Sequence, residues 1–243
     1  DWSSDVCSSD LNTFISALLF RLGNVKKNIG YNREGRGFLL DFSPEINYHK
    51  HYINRYAFLF NEYIGNKYVY LPELSLRYTG QKTFQFDNSH KTIALYLGGE
   101  NKEFRKYPDE YAVQLLRLLN RQGYNLLLIG DENDNIKHTQ YAEEARIDHL
   151  INLTARTTIE GFINTIANVD LIITIDSSAL HIAAAVKTPF IALMGLSTSP
   201  TSTILPKVPL GRILKIENNL IREEDYIRNI TPDLILKTIS ELI

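Results

Sequence analysis

From Lys91 onward, short apolar runs alternate with amphipathic stretches. Thr92 to Leu97 is the first such run. A polar loop follows, then Pro108, a residue suited to the first turn of a helix. Asp109 to Arg121 sets Tyr111, Leu115, Leu118 and Leu119 on one helical face, and Gly123 supplies a stop. A second apolar run, Asn125 to Gly130, precedes a polar helix from about Asn135 to Arg146 and a weaker strand at Ile151-Asn152-Leu153. A helix from Thr158 to Asn168 leads into Leu171-Ile172-Ile173-Thr174-Ile175. Ser178 to Val186 reads as a helix of small residues, and Phe190 to Met194 as the fifth strand. Ile213 to Ile216 is a sixth, and Thr231-Pro232-Asp233 opens a last amphipathic helix to Ile243. Strands that are apolar throughout, alternating with helices, predict a parallel sheet covered on both faces. The class is α/β, Rossmann-like and doubly wound. Ligands in such sheets sit beyond the carboxyl ends of the strands, so the loops after Leu97, Ile129, Ile175 and Met194 are the ones to follow.

Residues 12–80 are patterned differently. They predict a helix from Phe14 to Leu22, strand-like pieces around Asn28 to Tyr31 and Gly37 to Leu40, and a helix from roughly Tyr52 to Ile64. That is too little for a full α/β domain and looks like the back end of one. Residues 81–90 are polar and are expected to link this remnant to a domain spanning 91–243. Residues 1–11 hold the only Cys and the only Trp of the chain, Cys7 and Trp2, without helical or strand periodicity. They lack the basic start and apolar stretch of a secretory signal. They are expected to be a non-native tail on a chain truncated at its amino terminus.

Composition narrows the function classes. The formal net charge of −2, from 26 basic and 28 acidic residues, argues against nucleic-acid binding by bulk electrostatics. No run approaches the roughly 18 consecutive apolar residues that span a bilayer. The single cysteine excludes an internal disulfide framework and fits a reducing, cytoplasmic setting.

No Walker-type loop, G-x-G-x-x-G fingerprint, H-E-x-x-H or Cys/His cluster is present, so neither a nicotinamide cofactor nor a metal is expected. Gly98 and Gly99 follow the first strand without the dinucleotide-binding spacing. The junction Asp176-Ser177-Ser178-Ala179-Leu180-His181 carries more. A buried strand ends there and a helix begins, so free amides and the positive end of the helix dipole form an anion site. Small residues, including Ala183-Ala184-Ala185, admit a bulky ligand. His181 lies where the dipole disfavours its charged form. The same Asp176 or Ser177 would equally cap a buried helix. In the loop after the first strand, Lys102, Arg105 and Lys106 place cations at the same sheet edge. One of them could neutralise a diphosphate leaving group, although Lys102 and Lys106 read better as solvated charges. Asp134 sits where a carboxylate would accept from ribose hydroxyls, or where it would simply charge a helix start.

Taken together these residues resemble the bacterial heptosyltransferases of glycosyltransferase family 9. That family carries Lys-x-Trp-Pro after the first strand of its second domain, and this chain has Arg105-Lys106-Tyr107-Pro108. It also carries Asp-(Ser/Thr)-Gly-x-x-His, small residues, and a Pro-led strand ending in Gly. The counterparts here are Asp176 to His181, Ala183 to Ala185, and Pro189 through Gly195. Upstream, Ser16 to Leu22, Ile29-Gly30-Tyr31 and Gly35 to Leu40 resemble the heptosyltransferase II branch. The likeness extends over residues 12–243. Ser178 stands where the family has glycine and Arg105 where it has lysine, which keeps the charge but changes its reach.

The resemblance implies the two-domain GT-B architecture, here a complete C-terminal Rossmann-like domain and the tail of an N-terminal one. It implies inverting, metal-independent transfer of heptose from ADP-heptose to the inner core of lipopolysaccharide, with a lipid A-core acceptor and at most peripheral contact with the inner membrane. Arg105 and Asp176 are then the catalytic residues, and Gly98, Gly99, Asp134, Ser177, Ser178 and His181 bind the donor. The family's carboxylate base lies near its amino terminus, and nothing before Asn12 resembles it. Donor binding with slow or absent transfer is therefore expected. The alternatives are a GT-B transferase using another nucleotide sugar and a non-catalytic nucleotide-sugar-binding remnant.

Overall fold

The computed structural model describes residues 6–8, 13–48, 52–69, 74–86, 89–98, 104–195, 205–206, 208–216 and 222–243. They divide into two compact units, Asp1–Glu73 with Ser199–Leu205, and Leu74–Thr198 with Pro206–Ile243.

In the first unit, β1 (Val6–Ser8) pairs in parallel with β2 (Lys27–Ile29). Part of the stretch read as lacking strand periodicity is thus a strand. Backbone pairing needs no side-chain alternation, so the missing periodicity did not exclude it. Helix α1 (Phe14–Leu22) is capped by Thr13, whose hydroxyl accepts from the Ser16 N–H. Helix α2 spans Tyr52–Tyr63. The strand-like piece at Gly37 to Leu40 is instead a 3₁₀ turn, Arg36–Leu39. Gly35 before it takes a left-handed φ of 69°. Arg36 is fully buried, and its guanidinium donates to the carbonyls of Tyr31 (3.0 Å) and Thr13 (3.2 Å). Those bonds need a turn at this point, which a four-residue apolar run cannot reveal.

The second unit is built on one parallel six-stranded sheet in the order β5-β4-β3-β6-β7-β8. Its strands are β3 (Thr92–Tyr96), β4 (Asn125–Leu128), β5 (Leu150–Asn152), β6 (Leu171–Ile175), β7 (Phe190–Leu193) and β8 (Gly211–Leu214). Every residue of β3, β4, β6 and β7 is buried, as an apolar run covered on both faces requires. The helices are α3 (Asp109–Arg121), α4 (Asn135–Ala145), α5 (Ile159–Ala167), α6 (Ser178–Val186) and α7 (Pro232–Ile239). Thr158, Ser177 and Thr231 cap α5, α6 and α7 with side-chain oxygens. Helix α3 buries Ala112, Val113, Leu115, Leu116 and Leu119, so its inner face is turned from the one expected, and Tyr111 and Leu118 flank it. A 3₁₀ segment, Glu223–Asn229, was not legible in the sequence.

The boundary between units falls at Leu74, ahead of the 81–90 segment read as a linker. Leu76 N–H donates to Ala185 O, and the Thr79 and Gly80 N–H groups share Asn164 Oδ1. The stretch 74–80 is held by hydrogen bonds that composition does not announce.

Two features make stability testable. A Cβ on Gly211 would lie 2.1 Å from the Phe190 ring, so β8 packs against β7 only because that position lacks a side chain. Gly211→Ala is expected to cost about 1–3 kcal/mol by overpacking. In a Phe190→Val background the added cost should shrink, as urea denaturation of all three variants will show. Separately, His138 is fully buried with Nδ1 2.7 Å from Thr154 Oγ1, and burial lowers its pKa to about 4. The unfolded chain therefore binds the extra proton first. The penalty is absent above about pH 6.5 and grows as pH falls to about 4, reaching about 3 kcal/mol. Tm should fall across that window, and His138→Gln should flatten the fall.

Candidate functional site

The order β5-β4-β3-β6-β7-β8 places the topological reversal between β3 and β6. The chain leaves β3 for β4 on one side and β6 for β7 on the other. A crevice opens where two such connections diverge. Tyr96 pairs in register with Thr174, so Gly98 and Asp176, each two residues further on, lie at this same reversal. The two loops singled out independently in the sequence are thus brought together by one strand pair.

Gly98 is buried with a φ of 81°, a left-handed conformation that disfavours any side chain. It turns the chain out of β3 at the reversal. Gly99 and Lys102 lie outside the described residues. Opposite Gly98, Ser177 is extended (φ −153°, ψ 173°) and caps α6, its hydroxyl accepting from the Ala179 N–H at 3.2 Å. The same hydroxyl is 3.0 Å from Thr174 Oγ1, which ties the cap to the strand. Ser178 is exposed, so the extra hydroxymethyl group at this position reaches solvent. Asp176, Ser177 and His181 are half-buried around it, whereas Ala179, Leu180, Ala183, Ala184, Ala185 and Val186 are buried against the sheet.

The third side of the crevice comes from the turn that carries Arg105. A Cβ on Gly195, just past β7, would lie 2.8 Å from the Phe104 carbonyl oxygen and 3.1 Å from Ile227 Cβ. Only glycine lets this turn settle on the end of β7. The next anchor is Tyr107, fully buried. Its N–H donates to Leu97 O at 3.0 Å and its hydroxyl to Ile230 O at 2.8 Å. Burial pushes the phenol far above its ordinary pKa, so it stays a neutral donor. Arg105 is half-buried between these two fixed points. The sequence placed Tyr107 in the Arg105-to-Pro108 motif without a role, and the structure makes it the buried anchor of that turn.

Asp134 takes the helix-start place that the sequence equally allowed. It is fully buried, and its carboxylate accepts from the Asp131 N–H at 3.0 Å while Asp131 accepts from Asn133 N–H at 2.8 Å. The pair forms a capping box at the 3₁₀ turn Glu132–Asp134. Burial and the adjoining Asp134 and Asp131 carboxylates also push the Tyr96 phenol up. The Asp134 carboxylate is engaged within its own turn, and the exposed carboxylates at this strand end are Asp131 and Glu132. Lys106 differs from the solvated charge expected. It pairs with Asp109 at 2.8 Å.

Removing the α6 cap provides a check on this geometry. Ser177→Ala should destabilise the chain by about 1 kcal/mol, a fall in Tm of about 2–4 °C, measurable by calorimetry. An unchanged Tm would mean that the Ser177 hydroxyl does not hold this helix start.

Comparison with known proteins follows the same outline. The sequence profile described as glycosyltransferase family 9 (heptosyltransferase) matches residues 8–224. The chain is 31% identical over 158 residues to lipooligosaccharide heptosyltransferase 2 of Haemophilus influenzae, a match covering 60% of this chain and 45% of that protein. Against lipopolysaccharide heptosyltransferase 2 of Salmonella typhimurium it is 23% identical over 263 residues, covering 96% of this chain and 73% of the relative. The chain thus spans about half the length of the Haemophilus protein it matches. Among solved structures, E. coli ADP-heptose LPS heptosyltransferase II superposes with a TM-score of 0.79 at 22% identity, covering 98% of this chain and 75% of that one. E. coli heptosyltransferase WaaC with ADP-2-deoxy-2-fluoro heptose gives 0.73 at 17% identity, covering 98% and 72%.

Proposed function

The chain belongs to glycosyltransferase family 9 (heptosyltransferase), and from that premise we propose that it binds ADP-heptose for transfer of the heptose to the inner core of lipopolysaccharide. The observation that carries this reading is the convergence of Gly98, the start of α6 and the Arg105 turn on the reversal between β3 and β6. Two relatives are lipooligosaccharide or lipopolysaccharide heptosyltransferases, and a solved structure of similar fold is heptosyltransferase WaaC with ADP-2-deoxy-2-fluoro heptose.

In this reading the diphosphate lies over the first turn of α6, where backbone N–H groups and the helix dipole favour an anion. It competes there with Ser177, whose hydroxyl occupies the Ala179 N–H. Arg105 supplies the positive charge, and Asp176 orients the loop or the sugar hydroxyls. His181 assists as a neutral donor, and Gly98 allows close backbone approach. The ribose falls to the exposed Asp131 and Glu132 side of the 131–134 turn.

The chemistry is a direct displacement. The acceptor hydroxyl oxygen bonds to the anomeric carbon as the bond from that carbon to the diphosphate oxygen breaks, with inversion. A carboxylate base takes the hydroxyl proton, and ADP departs with its new charge held by Arg105 and the α6 amides. The acceptor is a lipid A-core oligosaccharide. No helix among the described residues is long and apolar enough to cross a membrane, and contact with the cytoplasmic face of the inner membrane is peripheral in this proposal.

Isothermal titration with ADP, UDP and GDP tests the reading. ADP should bind most tightly, and Arg105→Ala should weaken it by about 10- to 100-fold, the worth of one charge-assisted hydrogen bond. Equal affinity for the three nucleotides would remove the adenosine assignment, and no binding would remove the donor site altogether.

A further inference from the structure

The cation at the donor edge sits in a loop whose neighbour is not idle. Lys106 directs its ammonium to Asp109 Oδ1 at 2.8 Å, and Lys137 of α4 reaches Asp109 Oδ2 at 3.0 Å. Tyr141, also of α4, donates its hydroxyl to Asp109 Oδ1 at 2.5 Å. One carboxylate, at the first position of α3, therefore gathers donors from the Arg105 loop and from the helix that follows the 131–134 turn. Burial raises the Asp109 pKa, but hydrogen bonds from Lys106, Tyr141 and Lys137 outweigh it and hold the value at about 2. The group is therefore ionised at neutral pH. An isolated surface ion pair contributes little, but a carboxylate with several charged and phenolic partners from separate elements restrains geometry as well.

We propose that Asp109 is a positioning residue for the donor site, clamping the Arg105 loop to α4 so that the cation after β3 and the turn after β4 are held as one preorganised frame. Lys106 has its charge satisfied by Asp109, which leaves the diphosphate to Arg105. Lys106 and Tyr107 are tied to separate parts of the unit on the carboxyl side of Arg105, and Phe104 rests on Gly195 on the other. Arg105 then meets its ligand without first ordering its own loop. This inference rests on the donor-site reading above.

The test is a double-mutant cycle on ADP binding by the full chain, read by titration calorimetry with Tm as a control for folding. Asp109→Asn keeps the shape and removes the charge, and it should weaken ADP about 5- to 10-fold in the unsubstituted chain. In an Arg105→Ala background the same change should cost less than about twofold, because the residue it positions is gone. Lys106→Met, which opens the clamp from the other side, should behave alike, and Asp109→Glu should recover part of the affinity. An Asp109→Asn loss undiminished in the Arg105→Ala background, or no loss in either, overturns the inference and leaves the donor site standing. Failure of the unsubstituted chain to bind ADP overturns both.

Discussion

The pairing of β3 with β6, from Ile93 opposite Leu171 to Tyr96 opposite Thr174, is the contact on which the candidate site depends. The two strands are far apart in sequence, and the intervening strands β4 and β5 lie on the other side of β3. Once they pair, their outgoing connections must diverge, and the space between the connections cannot be filled by either. A glycine in a left-handed conformation leads out of one strand and a capped helix start leads out of the other. The candidate site's location is a consequence of topology.

That rim is held by side chains with no direct claim on a ligand. Tyr107 is buried and bonded at both ends, Gly195 leaves room for the Phe104 carbonyl, and Asp109 collects two lysines and a tyrosine. In the proposed donor site a cation gains most when its loop is ordered in advance, because the ordering entropy is then met during folding. The tight packing of β7 and β8, where Gly211 yields space to Phe190, serves the same end by fixing the strand that supports Gly195.

Much of the second unit was legible because its strands are covered on both faces. Such strands have to be apolar at every position, so Leu171 to Ile175 and Phe190 to Leu193 stood out from the amphipathic helices between them. Capping residues marked the helix starts in the same local way, at Thr158, Ser177 and Thr231. The failures have a common origin. Arg36 to Leu39 became a 3₁₀ turn because a buried guanidinium needed carbonyls from distant residues. Asp134 turned inward because the Asp131 amide was the nearer partner.

The sequence by itself determined the α/β class, the order of elements, and the junction at Asp176 to His181, because each is written in local periodicity, in helix-end chemistry or in an ordered series of motifs. Only the tertiary structure decided that this junction faces Gly98 across β3 and β6, that the Arg105 turn rests on Gly195, and that Lys106 is bound to Asp109. Strand order and charge pairing are set by contacts between residues far apart along the chain. No local pattern encodes them, since the energy that selects them exists only once the sheet has assembled.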